Sequence, residues 1–359
     1  MYYKPDWDIS KKRFNAFWNR EIIDRCCLAV TSRIDSKRLY PDSYKAITDD
    51  PLELKKYWTD PQCILERHIK EFENTFFGGE AFPSIMVNLG TAGHCSYFKG
   101  SRYEFRPETI WFEPFLQNYD TLEYNSQSEL LNEGLNLAGI LSKEGKDKFF
   151  VGMPDNCGTL DAIAHMRGTE NLLVDFLENP DSVHSAVKVV NDVLLDTCEK
   201  FYQILQAGNE GGSVISWMKL WAPGRAWQNQ CDLSVMISEQ MFRSFYLPEI
   251  VPILGWSEKT LYHLDGSEQM RHLESLLGLK ELQMIQWMTP AGQQPPSHYI
   301  DVLKKIQTAG KCLHIFCSPD EVETLLSKLS SRGLFLVTKT DTEEEAKSLL
   351  KKASKWTRD

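Results

Sequence analysis

No window of this 359-residue chain reaches the roughly 18 consecutive apolar residues of a membrane-spanning helix, so no such span and no membrane partner are expected. The opening "MYYKPDWDISKKRF" has no apolar core of the kind a secretory signal carries. No Lys/Arg block stands out, and 40 basic against 50 acidic side chains leave a net charge of -10. A nucleic-acid partner is therefore disfavoured, because such binding relies on clustered cations that displace counterions. There is no C-x-x-C. The nine cysteines are odd in number and irregularly spaced, with Cys26 and Cys27 adjacent, and they read as reduced thiols of a cytoplasmic protein. Also missing are GxGxxG, GxxxxGK[ST], GxSxG and HExxH. Nucleotide kinases, standard hydrolases and zincin proteases thereby lose their main sequence support.

What is present is ordinary globular material, 42% hydrophobic and 25% charged. No repeat or Pro/Ser-rich linker divides the chain. From about residue 148 apolar strands alternate with amphipathic helices: "KFFVGMP", "SVISW", "TLYHL", "LQMIQWM", "KCLHIFC" and "LFLVT" are the strands. Pro180 opens one helix behind Asn179, Ser318 is a candidate cap for another, and Gly278 and Gly310 close two more. Upstream, "SIMVNLG" supplies a further strand and "YEFRPETIWFEPF" a hairpin-like insertion. This alternation predicts an α/β fold, a (β/α)8 TIM barrel over residues 81–359, with residues 1–80 a mostly helical N-terminal extension packed on it.

Such a barrel collects its chemistry at the C-terminal ends of its strands. Those ends bring forward Asn88, Asp155, Trp217, His263 with Asp265, Gln286 with Trp287, and Cys317. In "YHLDG", His263 and Asp265 stand two apart and share one side of a strand. An imidazole and a carboxylate side by side suit a metal pair awaiting a third ligand, or an acid/base histidine oriented by the acid. The plainer alternative is a satisfied core histidine and a helix-capping aspartate. Asp155, in "MPDNCG", is either a carboxylate aimed at the pocket or a turn residue. Cys317 is either a thiolate at a helix start or a small buried apolar group. Trp217, Trp221 and Trp227, within eleven residues, read as an aromatic wall on a loop or as loop packing.

Several blocks taken together resemble the uroporphyrinogen decarboxylase superfamily. They are "MPDNCGTLDAIAHMRGTENLLVDFLENPDSVHSAV", "CDLSVMISEQMFRSFYLPEI" and "YHLDG". The arginine-rich motif by which true decarboxylases of that family meet their substrate does not occur in "WNREIIDRCCLAVTSRID". The likeness is therefore nearer the cobalamin-dependent methyltransferase branch, which holds zinc with one His and two Cys. It implies His263 as the family histidine, Asp265 where the first cysteine stands, and Cys317 as the nearest source of the second.

Three readings remain open. One is a corrinoid-linked methyltransferase acting on a small O- or N-methylated compound. It would use zinc, Trp217, Trp221, Asn88, Gln286 and Trp287 as the substrate wall, and a separate cobalamin protein as acceptor. The second is a metal-free decarboxylase or lyase with Asp155 and His263 as acid/base partners. The third is a ligand-binding barrel without catalysis. The resemblance also implies a homodimer, with "YFKGSRYEFRPETIWFEPF" as candidate interface or lid.

Overall fold

The computed structural model describes residues 1–34, 45–46 and 48–358. Its strands are β1 (Cys27–Arg33), β2 (Thr75–Gly79), β3 (Ser84–Met86), β4 (Arg102–Phe105), β5 (Ile110–Glu113), β6 (Phe150–Gly152) and β7 (Gly212–Ile215). They continue with β8 (Leu220–Pro223), β9 (Ala226–Asn229), β10 (Lys259–Asp265), β11 (Met284–Met288), β12 (Cys312–Phe316) and β13 (Leu334–Thr342). Seven of them join in one ladder, β2-β1-β13-β12-β11-β10-β9, parallel throughout except for β2 on β1. Helices Ile300–Thr308 and Glu321–Lys328 make the crossovers that keep β11, β12 and β13 parallel. The expected hairpin is present as antiparallel β4–β5.

The ladder does not close, which corrects the expectation of a complete (β/α)8 barrel to an open α/β sheet with satellite strand pairs, β3–β6 and β7–β8. Side chains stand where strand bonds would run. The Asn209 amide donates to Val151 O at 2.7 Å and accepts from Val151 N at 3.0 Å, taking up the edge of β6. β7 pairs with its own return strand β8. It reaches the β9 end of the ladder through Ser213, whose hydroxyl donates to Gly224 O and accepts from Ala226 N.

Alternation along the strands sorts the core into two layers. Leu28, Val30, Tyr262, Leu264, Ile285, Trp287, Leu313 and Ile315 face the helices. Cys27, Ala29, Leu261, Met284, Cys312 and Phe335 face inward. The inner layer is floored by helix Trp7–Trp18: Trp7 packs on Phe150 and Trp221, and Phe14 on Phe335. These contacts lie at the strands' N-terminal ends, so the opposite ends stay free for a site. The described part of residues 1–80 thus supplies three helices and also two strands of the main sheet.

Helix Pro180–Leu205 buries Val183, Val187, Val190, Leu194, Phe201 and Leu205 at helical spacing. Asn179 precedes it as expected but makes no side-chain cap. The next-to-last helix starts at Glu321, behind Asp320 rather than Ser318. Among the described residues no helix is long and apolar enough to cross a membrane.

Replacing Asn209 by Ala leaves the Val151 N–H and C=O without their partners. An unfolding free energy lower by about 2–4 kcal/mol is expected in urea titration. A loss below about 0.5 kcal/mol would show that the β6 edge does not depend on this amide.

Candidate functional site

His263 and Asp265 leave the C-terminal half of β10 on the inner face, as their spacing predicts. His263 is 9% exposed and Asp265 half-buried. The Gln286 amide oxygen meets His263 Nδ1 from the neighbouring strand. The amide orientation follows from its other end, where Nε2 donates to the Trp287 carbonyl. An amide oxygen only accepts, so Nδ1 carries the proton and Nε2 keeps the lone pair. The indole of Trp217 stands edge-on to the imidazole, ring centroids 5.1 Å apart.

The third member of the group is Asp232, just beyond β9. One ligand atom each from Asp232, His263 and Asp265 lies within 4.8 Å of the others. Among the described residues this is the group of three that fits a metal ion. Tetrahedral zinc with bonds of 2.0–2.2 Å sets ligand atoms about 3.3–3.5 Å apart. The site would close by roughly 1 Å, within reach of carboxylate rotation. One nitrogen and two oxygens suit zinc and harder divalent ions, whereas a thiolate site is not formed. Asp232 is open to solvent yet sits in a crowded recess. Desolvation raises its carboxyl, Asp265 adds to the rise, and His263 and Gln230 oppose it.

Asp155 faces the same mouth. The Trp217 Nε1–H donates to Gln228 Oε1 at 2.9 Å, which turns the Gln228 amide nitrogen onto the Asp155 carboxylate. Asp155, Trp217, Gln228 and Met86 line one cleft. Burial, then the charge of Asp232, push Asp155 up to about 7, with Trp217 pulling the other way. Asp155 is thus a carboxylic acid that keeps its proton to near neutrality.

Several expected site residues lie elsewhere. Cys317 follows inward Phe316 and so turns outward. Its thiol packs against the helix-facing layer, where burial raises its pKa. It is not part of the metal group. Trp287 also turns outward, onto Tyr299 at 4.9 Å, with its N–H on Thr289. Trp221 is on β8, 1% exposed, donating to Asn209 O on the floor of the inner layer. Trp227 is on β9 and faces the helices. Asn88 is half-buried and spends its side-chain oxygen on Gly90 N. Asp232, Gln228 and the buried Asp161 that braces Asp232 were missed. For Asp232 and Gln228 the reason is local: "LWAPGRAWQN" reads as loop in the sequence and forms two strands in the structure. With β9 recognised, Asp232 of "CDLSVMIS" stands beyond a strand end like the others.

Comparison with solved structures finds, among its matches, a methyltransferase from Methanosarcina mazei, 10% identical, with a TM-score of 0.59 over 96% of this chain and 98% of that one. At that identity the likeness speaks for the fold. No family model matches the chain, and no curated protein does.

Asp155 titrates near 7 in the folded chain against an ordinary 3.8. The folded state therefore binds this proton more tightly than the unfolded one. The stability it contributes is complete below about pH 4 and lost as pH rises through about 7. Asp155→Asn removes that titration. With chelator present, the melting temperature of the wild type relative to Asp155→Asn is expected to fall between about pH 4 and pH 7. A flat difference over that window would mean that Asp155 is ionised throughout.

Proposed function

We propose that this chain is a methyltransferase that takes a methyl group from a small O- or N-methylated compound and passes it to a separate cobalamin protein. The observation that carries this reading is the Asp232–His263–Asp265 group at the C-terminal strand ends. Support comes from a fold shared over nearly its whole length with a methyltransferase, and from the sequence resemblance to the cobalamin-dependent branch of the uroporphyrinogen decarboxylase superfamily. The metal proposed is zinc, held by Asp232, His263 Nε2 and Asp265. Bound there, it would act as a Lewis acid on the heteroatom that carries the methyl group. Gln286 holds the histidine tautomer that leaves Nε2 available. Trp217 forms the apolar side of the mouth. Asp155 is positioned to hand a proton to the demethylated oxygen or nitrogen. A homodimer is part of the proposal, with the β4–β5 hairpin as its surface, where Trp111 stays 45% exposed.

The pKa of Asp155, near 7, favours one alternative. In a metal-free decarboxylase or lyase, Asp155 and His263 would exchange protons with the substrate.

Metal analysis of the purified protein separates the two. One divalent ion per chain is expected, lost in Asp232→Ala and His263→Ala and kept in Cys317→Ser. Gln286→Ala is expected to weaken it by about 10–100-fold, since it orients a ligand without binding metal itself. A wild type that binds no zinc or other divalent ion would overturn the methyl-transfer reading in favour of the acid/base one.

A further inference from the structure

β9 and β10 stop pairing before they reach the site. Their register ends at Asn229 against Tyr262, short of both Asp232 and Asp265. On its other side β10 stays paired to β11 as far as Asp265 and Met288. Something other than the ladder must hold Asp232 beside Asp265, because like charges favour separation. Gly266, at φ +83°, turns the chain at the strand end, and the turn Ser267–His272 brings Gln269 back against it. Gln269 is 1% exposed. Its Oε1 accepts from the Asp265 N–H and from the Tyr262 hydroxyl, both at 3.3 Å. Its Nε2 donates to the Cys231 carbonyl at 3.2 Å. A peptide N–H at one end and a carbonyl at the other fix the orientation of this amide. The Cys231 carbonyl belongs to the peptide group that leads into Asp232, and the N–H of that same group is bonded to Asp161. The peptide plane before Asp232 is thus gripped at both ends. After Asp232 the same turn acts again: His272, stacked on Phe242 at 4.2 Å, donates from Nε2 to Ser234 O at 2.9 Å.

We propose that Gln269 is a positioning residue that sets the gap between Asp232 and Asp265, and thereby which divalent ion the group accepts. The gap is a matter of this chain's own geometry, and that an ion fills it rests on the reading above. One amide of fixed length spans the two segments that carry the carboxylates, so it resists their repulsion without touching the ion. Zinc, with bonds of about 2.0–2.2 Å, needs its ligands held close. A larger ion with longer bonds, such as cadmium, tolerates a wider set, since cavity size and rigidity decide between divalent ions. Without the amide the Asp265 N–H and the Cys231 carbonyl lose their shared partner, the segments part, and zinc loses more than cadmium.

The test is competitive titration of Zn²⁺ and Cd²⁺ against a chromophoric chelator, with the full wild-type chain and with Gln269→Met, which keeps the volume and removes both polar ends. Zinc affinity is expected to fall by about 10–100-fold, as for other groups that hold a metal ligand in place. Cadmium affinity is expected to fall less, so the zinc-to-cadmium ratio drops. A general loosening of the fold would lower both alike. Gln269→Glu, kept protonated by burial, retains an acceptor for the Asp265 N–H and a donor for the Cys231 carbonyl, and is expected to restore most of the ratio. Gln269→Asn keeps both polar ends at shorter reach and covers the case in which Gln269→Met does not fold; a lowered ratio is expected there as well. A crystal structure of the metal-free variant gives a measure that needs no ion. The Asp232 and Asp265 carboxylates are expected to stand farther apart than in the metal-free wild type, with β10 and β11 in unchanged register. The proposal is overturned if zinc and cadmium weaken alike, if Gln269→Glu restores nothing, or if the gap is unchanged. A wild type that binds neither ion overturns the metal reading and the choice of ion with it, and the gap in the crystal then decides whether Gln269 sets it.

Discussion

A carboxylate buried without a counter-cation has to be met by peptide N–H groups, and this constraint sets the site. Asp161 accepts from the backbone N–H of Asp232 and of Leu233, both at 2.9 Å. Glu249 accepts from Thr159 N at 2.7 Å and Leu160 N at 2.9 Å. Neither acid has an ion-pair partner among the described residues, and burial raises both, Asp161 to about 7. The two together clamp the first turn of helix Thr159–Arg167 between the helix that bears Glu249 and the loop that bears Asp232. Gly158 makes the clamp possible, since a Cβ there would stand 2.2 Å from Gln230 O. Asp155, three residues earlier, is set by the same segment. Two of the acids of the mouth therefore owe their places to carboxylates that never touch it.

The strands that read clearly in the sequence are those with one long apolar run: β10 to β13 appear where "TLYHL", "LQMIQWM", "KCLHIFC" and "LFLVT" place them. β1 was hidden because "CLAV" is four apolar residues between charged flanks, which fits a strand or a buried helix turn equally well. β8 and β9 were hidden because Pro223 and Gly224 punctuate them like a loop. The Asp232–His263–Asp265 group was two-thirds legible. His263 and Asp265 follow from a period of two, but Asp232 depends on recognising β9. The same period, applied one step further, removes Cys317 and Trp287: His314 and Phe316 inward put Cys317 outward, and Gln286 inward puts Trp287 outward.

The open ladder and the aromatic floor belong to one solution. β7 turns back into β8 instead of pairing across to β9, and this sends Trp221 down onto Trp7 and Phe14. A sheet left unclosed exposes backbone groups, which here are satisfied by Asn209 and Ser213. The turn before β8 carries the Met218 carbonyl across to His314 on β12. An inner space that aromatic side chains fill from below thus keeps polar groups above.

Charge explains why the mouth admits two functional readings and only two kinds of occupant at its acidic end. Asp232 and Asp265 are close enough for each charge to oppose the other, and Asp232 is raised by desolvation as well. A cation beside Asp232 would stabilise the charge that burial opposes there. A divalent ion between them relieves the repulsion and leaves Asp155 as the remaining acid, which is the arrangement methyl transfer needs. A proton on Asp232 relieves it too and leaves an acid suited to proton exchange. Asp155, raised to about 7 by burial and then by the charge of Asp232, is the proton donor that both readings share.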